Sequence, residues 1–229
     1  MNISNRQGSQ HWLQIAVNRA PNVLLDVLRP ALELDSNATI EWRSPLAADD
    51  FREYRDMTAL RELGIETLPM RPLADFWPQR GPVWDALGKS SDGQLIFLEA
   101  KAHIAEMDSP ASKASPDSLA RIQKSLQEAR QFFAPGSTAD WSQNFYQYAN
   151  RLAHHYLFRH ENELPSHMIF LYFLNATDMS GPKSEAEWLT AIATLHSALG
   201  LSQIDRIGVH EVFMDVSPLK ALICRETSL

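Results

Sequence analysis

The sequence predicts an α/β domain, a mixed central sheet flanked by helices. Three observations carry this. Strand-like and helix-like hydrophobic periods alternate along the chain. The run Met168-Ile169-Phe170-Leu171-Tyr172-Phe173-Leu174 is apolar on both faces, which suits a central strand covered above and below. The 229 residues are 45% hydrophobic and 21% charged, the balance of a folded domain large enough to bury one core. One domain over residues 1–229 is expected, with a helical N-terminal extension at 1–38 and the core at 39–229.

Residues 11–20 and 23–32 are apolar-rich, separated by Pro21, and predict two helices. Thr39-Ile40-Glu41-Trp42-Arg43 alternates and predicts a short strand. Asp49 or Asp50 is placed to cap a helix running to Leu63, with Gly64 as its stop. Residues 67–82 carry Pro69, Pro72, Pro78 and Pro82 and predict an ordered loop or short extended pieces. A strand is expected at 83–87, a hairpin turn at 88–93 through Lys89-Ser90-Ser91-Asp92-Gly93, and a strand at 95–102. Residues 108–118, rich in Ser, Pro and Ala, predict a mobile loop.

Leu119, Ile122, Leu126, Ala129 and Phe133 then recur at helical spacing, and Pro135-Gly136 turns the chain. Phe145, Ala149, Leu152 and Tyr156 mark a further helix over 142–158. Ser184 and Glu187 have capping-box spacing ahead of Trp188, Ile192, Leu195 and Leu199, and Gly200 ends that helix. Residues 209–216 predict the last strand. There is no internal repeat.

The apolar strand at 95–102 ends in Glu99-Ala100-Lys101, the one Asp/Glu-x-Lys triplet of the chain. Residues two apart on a strand point to the same face, so Glu99 and Lys101 lie together. Asp85 lies fourteen residues earlier, across the predicted turn. Two carboxylates and an ammonium group meeting there would make a place for a divalent cation beside a fixed positive charge. That is the equipment of metal-assisted phosphodiester hydrolysis.

The order Asp85, Glu99, Lys101 on adjacent strands resembles the PD-(D/E)xK nuclease superfamily, also called restriction-endonuclease-like. The resemblance covers residues 40–175 as a strand-helix pattern. It departs from the motif's name before the aspartate, where Trp84 stands and Pro82 lies three residues back. The resemblance implies a restriction-endonuclease-like core and Mg²⁺ (or Mn²⁺) held by Asp85 and Glu99. It implies that Lys101 orients or deprotonates the attacking water. The Ala100 carbonyl is a candidate third oxygen, in keeping with the preference of Mg²⁺ for hard ligands. The expected partner is nucleic acid, DNA before RNA; no membrane partner is expected, and a homodimer is left open.

Supporting residues follow from spacing. Glu53, Met57 and Leu60 would share one line of a helix, making Glu53 the leading candidate for a further acid, against a salt-bridged rim glutamate. On helix 142–158 a polar stripe of Gln147, Asn150, Arg151 and His154 opposes the apolar face. Gln147, Asn150 and Arg151 are candidate substrate contacts, against a solvated helix face. Strand alternation extends the Glu99 and Lys101 face to His103, a candidate to touch the leaving group or a second metal, against a core or rim histidine. Trp42, Trp77 and Trp84 are assigned to the core.

The bulk numbers set limits. A net charge of −7 argues against tight, non-specific binding of nucleic acid, although local basic patches and bound cations escape that argument. The lone cysteine, Cys224, excludes an intrachain disulfide and a Cys-rich zinc cluster. With no signal-like start and no apolar run beyond seven residues, a cytoplasmic protein is expected. Two other functions fit the same residues: a catalytically silent binding or assembly module, and a hydrolase of another class using Asp85 and Glu99 as an acid–base pair.

Overall fold

The alternation read in the 95–102 segment becomes the middle of the molecule. The computed structural model describes residues 7–202 and 208–226; residues 1–6 of the expected N-terminal extension lie outside the described residues. In chain order the helices are α1 (Gly8–Arg19), α2 (Pro21–Leu28), α3 (Asp56–Glu62), α4 (Leu73–Phe76), α5 (Pro116–Phe133), α6 (Tyr146–His155), α7 (Glu185–Leu199) and α8 (Ser217–Glu226). The strands are β1 (Ile40–Ser44), β2 (Tyr54–Arg55), β3 (Val83–Trp84), β4 (Ala86–Ser90), β5 (Leu95–Lys101), β6 (Ser166–Leu174) and β7 (Val209–Asp215).

Five strands form one mixed sheet in the order β1-β4-β5-β6-β7. The β1, β4 and β5 ladder is antiparallel, while β5, β6 and β7 run parallel. The parallel half needs its crossovers, and helices supply them, so both faces of β6 are buried, as its unbroken apolar run requires. A separate two-stranded ribbon pairs β2 with β3.

Strand alternation sorts the core into two halves. Leu95 and Phe97 of β5, with Met168, Phe170 and Tyr172 of β6, face a layer built on α3 to α7. Ile96, Leu98 and Ala100, with Ile169, Leu171 and Phe173, face α1, α2 and α8. Trp12, Leu13, Ile15 and Ala16 of α1 belong to that second core. The N-terminal helices are therefore one wall of the core rather than an appendage to it.

The mixed sheet between helices is as expected; several element boundaries are not. The helix expected from Asp49 or Asp50 begins only at Asp56. Asp50 and Phe51 are left-handed, and the Asp49 carboxylate accepts the Tyr54 hydroxyl instead of capping a helix. Residues 67–82 contain the short α4. The strand expected at 83–87 breaks at Asp85, and β4 runs on through Gly88 and Lys89 to Ser90. α6 starts at Tyr146 because Phe145 is left-handed, and it continues as a π-helical stretch, Tyr156–Glu161. The Ser184 hydroxyl bonds the Glu187 carboxylate, 3.0 Å, rather than a backbone N–H. α8 carried no expectation. No helix among the described residues is long and apolar enough to cross a membrane.

Candidate active site

The Leu95–Phe97 face of β5 continues upward as Glu99 and Lys101. Across the antiparallel ladder Ala86 pairs with Leu98, so one step further Asp85 stands opposite Glu99. The ladder stops there, because the chain bends at Asp85 to leave the main sheet for β3. The bend turns the Asp85 carboxylate back onto the sheet, where Oδ2 accepts the Ala100 N–H at 2.8 Å. Beyond β5, a Cβ on Gly181 would overlap the Ala102 carbonyl oxygen; only glycine lets that segment press on the strand end.

Glu99 is 4% exposed, and both its oxygens are engaged by cations. Lys101 Nζ lies 2.7 Å from Oε1. Arg151, from α6, donates through Nε at 2.8 Å to Oε2, with Nη2 at 2.7 Å from the same oxygen. Nη2 also donates to the Val83 carbonyl at 2.9 Å, and the guanidinium lies 5.2 Å from the Trp84 ring centre. One arginine thus ties α6 to β3 and β5.

The two carboxylates are driven apart electrically. Burial and then the Glu99 charge push the Asp85 carboxyl up to about 8, and Lys101, the Ala100 N–H and Arg151 offset this only in part. Glu99 is buried too, which opposes its ionisation, yet the charges and hydrogen bonds of Arg151 and Lys101 prevail and hold it below the ordinary carboxylate value. Without a cation Asp85 therefore keeps its proton beside an ionised Glu99, and a bound cation would favour ionisation of both.

A cleft of about 470 Å³ opens over this constellation. Asp85, Glu99, Ala100 and Lys101 line its sheet side, and Gln147, Asn150 and Arg151 line its α6 side. Gln147 Oε1 accepts from Lys101 Nζ at 3.2 Å. Asn150 is 7% exposed, and its Oδ1 has no hydrogen-bond partner. Below it His154 is buried and pushed down to about 3 by that burial; its Nδ1 lies 2.9 Å from the Asn150 carbonyl. The stripe expected to oppose the core turns inward at Asn150, Arg151 and His154, and only Gln147 is exposed.

Two candidates lie elsewhere. Glu53 precedes β2 instead of riding a helix, and it accepts a hydrogen bond from Gln10 at 2.7 Å. His103 follows the end of β5, where alternation no longer applies, and sits 3.2 Å from Glu106. Neither lines the cleft. Among the described residues no three His, Cys, Asp or Glu side chains converge to hold a metal. The available donors are Asp85, Glu99 and the Ala100 carbonyl, a hard-oxygen set. That set suits Mg²⁺ or Mn²⁺, which keep several waters, and does not suit zinc.

Sequence reasoning missed Arg151 as the partner of Glu99. The signal was its place beside Asn150 and His154, one polar stripe on a helix whose other face is also buried. Arg151→Met should lower stability by about 3 kcal/mol, the low end for breaking a buried pair, because Lys101 still holds one Glu99 oxygen. Thermal denaturation should show a melting temperature several degrees lower; an unchanged one would mean the pair contributes nothing net.

No family model, no curated protein and no solved structure matches this chain.

Proposed function

We propose that the chain is a metal-dependent nuclease that hydrolyses phosphodiester bonds of nucleic acid, with DNA the first substrate to test. One observation carries the reading. Asp85 lies opposite Glu99 with Lys101 on the same face, at one end of β5, in a cleft open to a ligand. Asp85, Glu99 and the Ala100 carbonyl would hold Mg²⁺ or Mn²⁺. When bound, the cation supplies Lewis-acid polarisation of the phosphodiester and offsets its charge.

The chain's own groups do the rest. Lys101 has three N–H donors and gives two of them to Glu99 and Gln147, leaving one for the attacking water or a phosphoryl oxygen. Arg151 keeps Glu99 ionised and fixes its rotamer. It does so with Nε and Nη2 committed to protein acceptors, so its role is positioning more than clamping phosphate. Gln147, on the exposed side of α6, orients the lysine.

A second reading has its own support. A carboxyl pushed up to about 8 beside an ionised carboxylate is also the arrangement of a general acid and its partner. The test separates the two. Purified protein is given linear, nicked, branched and single-stranded DNA, and RNA, with Mg²⁺, with Mn²⁺ and with chelator. Cleavage that requires the cation supports the nuclease. Hydrolysis indifferent to chelator supports the acid–base hydrolase, and binding with no cleavage supports the silent module.

A further inference from the structure

The cleft over Glu99 does not end at the carboxylates. Tyr146 and Asn150 also line a second cleft of about 470 Å³, whose far side holds Trp77, Arg80 and Lys113. Trp77 to Arg80 in turn border a third, of about 520 Å³, that reaches Arg121. Shared lining residues set these three clefts side by side, as a furrow leading away from Lys101.

Its charge runs against that of the molecule. In a chain of net charge −7, the middle cleft is lined by Arg80 and Lys113 and by no Asp or Glu. Both cations are exposed, and neither side chain has a hydrogen bond or ion pair among the described residues. Arg121 gives one Nη to the Ala74 carbonyl, 2.9 Å, and is otherwise exposed. One acid, Asp56, lines the third cleft, but its oxygens accept the Arg80 and Gly81 N–H groups at 3.1 and 2.8 Å. Those bonds hold Arg80 at φ +70, a left-handed conformation that costs a residue other than glycine about 1 kcal/mol. The backbone is thus held against its preference to present an unpaired arginine.

At the junction of the first two clefts stands Asn150, nine-tenths buried, with Oδ1 unpartnered. Buried acceptors are nearly always satisfied; this one is covered by its neighbours, and a ligand's donor reaches it once they move aside. Half-buried Tyr146 lines both clefts beside it, its hydroxyl bonded to Ser112 and Asn150. A ligand that brings anions to Arg80 and Lys113, an N–H to Asn150 and a flat ring to Tyr146 is a nucleic-acid strand. Only an unpaired base can offer its edge to so deeply set a carboxamide.

We infer that the furrow from Tyr146 and Asn150 to Arg80, Lys113 and Arg121 binds the unpaired strand that flanks the bond to be cut. This rests on the nuclease reading for the location of the cut, but not for the binding. The test is the double charge reversal Arg80→Glu/Lys113→Glu, two exposed positions whose change should leave folding intact. Its substrates are a single-stranded DNA of about 12 nucleotides, the matching duplex, and bis(p-nitrophenyl) phosphate, which is too small to reach the furrow. KM for the strand should rise about tenfold or more, and less so at high salt. Turnover of the small diester should be unchanged.

An unchanged KM for the strand, or a duplex preferred to it, overturns the furrow and leaves the site standing. Where the parent cuts nothing, fluorescence anisotropy with the labelled strand decides. Binding that weakens in the double variant supports the furrow while the nuclease reading fails. Absent or unaltered binding overturns the furrow too.

Discussion

Replacing Lys101 with methionine is expected to lower metal-dependent cleavage by about a thousandfold in kcat, the scale of losing one charged donor aimed at a developing anion. The fold should survive. Lys101 is one of two cations on Glu99, and Arg151, the more deeply buried, remains. Methionine keeps most of the aliphatic stem, so the change removes a charge and three N–H groups without opening a large void. KM for the nucleic acid should move little, because the furrow residues are untouched. Affinity for Mg²⁺ should rise, since the ammonium 2.7 Å from Glu99 Oε1 competes with any cation for that oxygen. The measurement is single-turnover cleavage across a Mg²⁺ titration, with calorimetry for the cation. A variant that turns over within a few-fold of the parent would remove Lys101 from the chemistry.

That prediction was reachable from the sequence because it needs only strand arithmetic. Glu99 and Lys101 share a face wherever β5 is a strand, and an apolar run that ends in Glu-x-Lys leaves little choice of face. The sheet and its buried middle strand were legible for the same reason. What pattern could not show is where tertiary bonds overrule it. Glu53 has helical spacing to Met57, yet the Tyr54 hydroxyl on Asp49 and the Asp56 carboxylate on the Arg80 and Gly81 amides draw the chain into β2 first.

Arg151 has the spacing of a solvent stripe, yet the buried charge of Glu99 needs a partner and pulls it inward. The break at Asp85 is of the same kind. No local signal distinguishes a strand through 83–87 from two strands with a carboxylate at the bend. Only pairing with β2 on one side and β5 on the other creates it. The furrow was illegible because its walls come from residues far apart in the chain, near 77–80, 113–121 and 146–150.

Asp85→Asn is expected to abolish metal-dependent cleavage and, in chelator, to make the protein more stable at neutral and alkaline pH. The carboxyl of the folded, metal-free chain titrates at about 8 against an ordinary 3.8. Between those values the folded state holds a proton that the unfolded chain has released. Stability from this group is therefore full below about pH 4 and declines as pH rises toward 8. Asparagine does not titrate, and its carbonyl oxygen can still accept the Ala100 N–H that Asp85 Oδ2 accepts at 2.8 Å. Parent and variant should melt at similar temperatures near pH 4, where both states of the parent hold the proton. By pH 8 the variant should be ahead by on the order of a few kcal/mol, since each pKa unit is worth about 1.4 kcal/mol. Saturating Mg²⁺ should narrow or reverse the gap, because a ligand that binds only the folded parent stabilises it by mass action. Melting curves at the two pH values, with chelator and with Mg²⁺, test each step. If the variant melts lower than the parent at pH 8 in chelator, Asp85 is not held against its ionisation. Its meeting with Glu99 would then be an ordinary structural contact rather than a site whose charge awaits a cation.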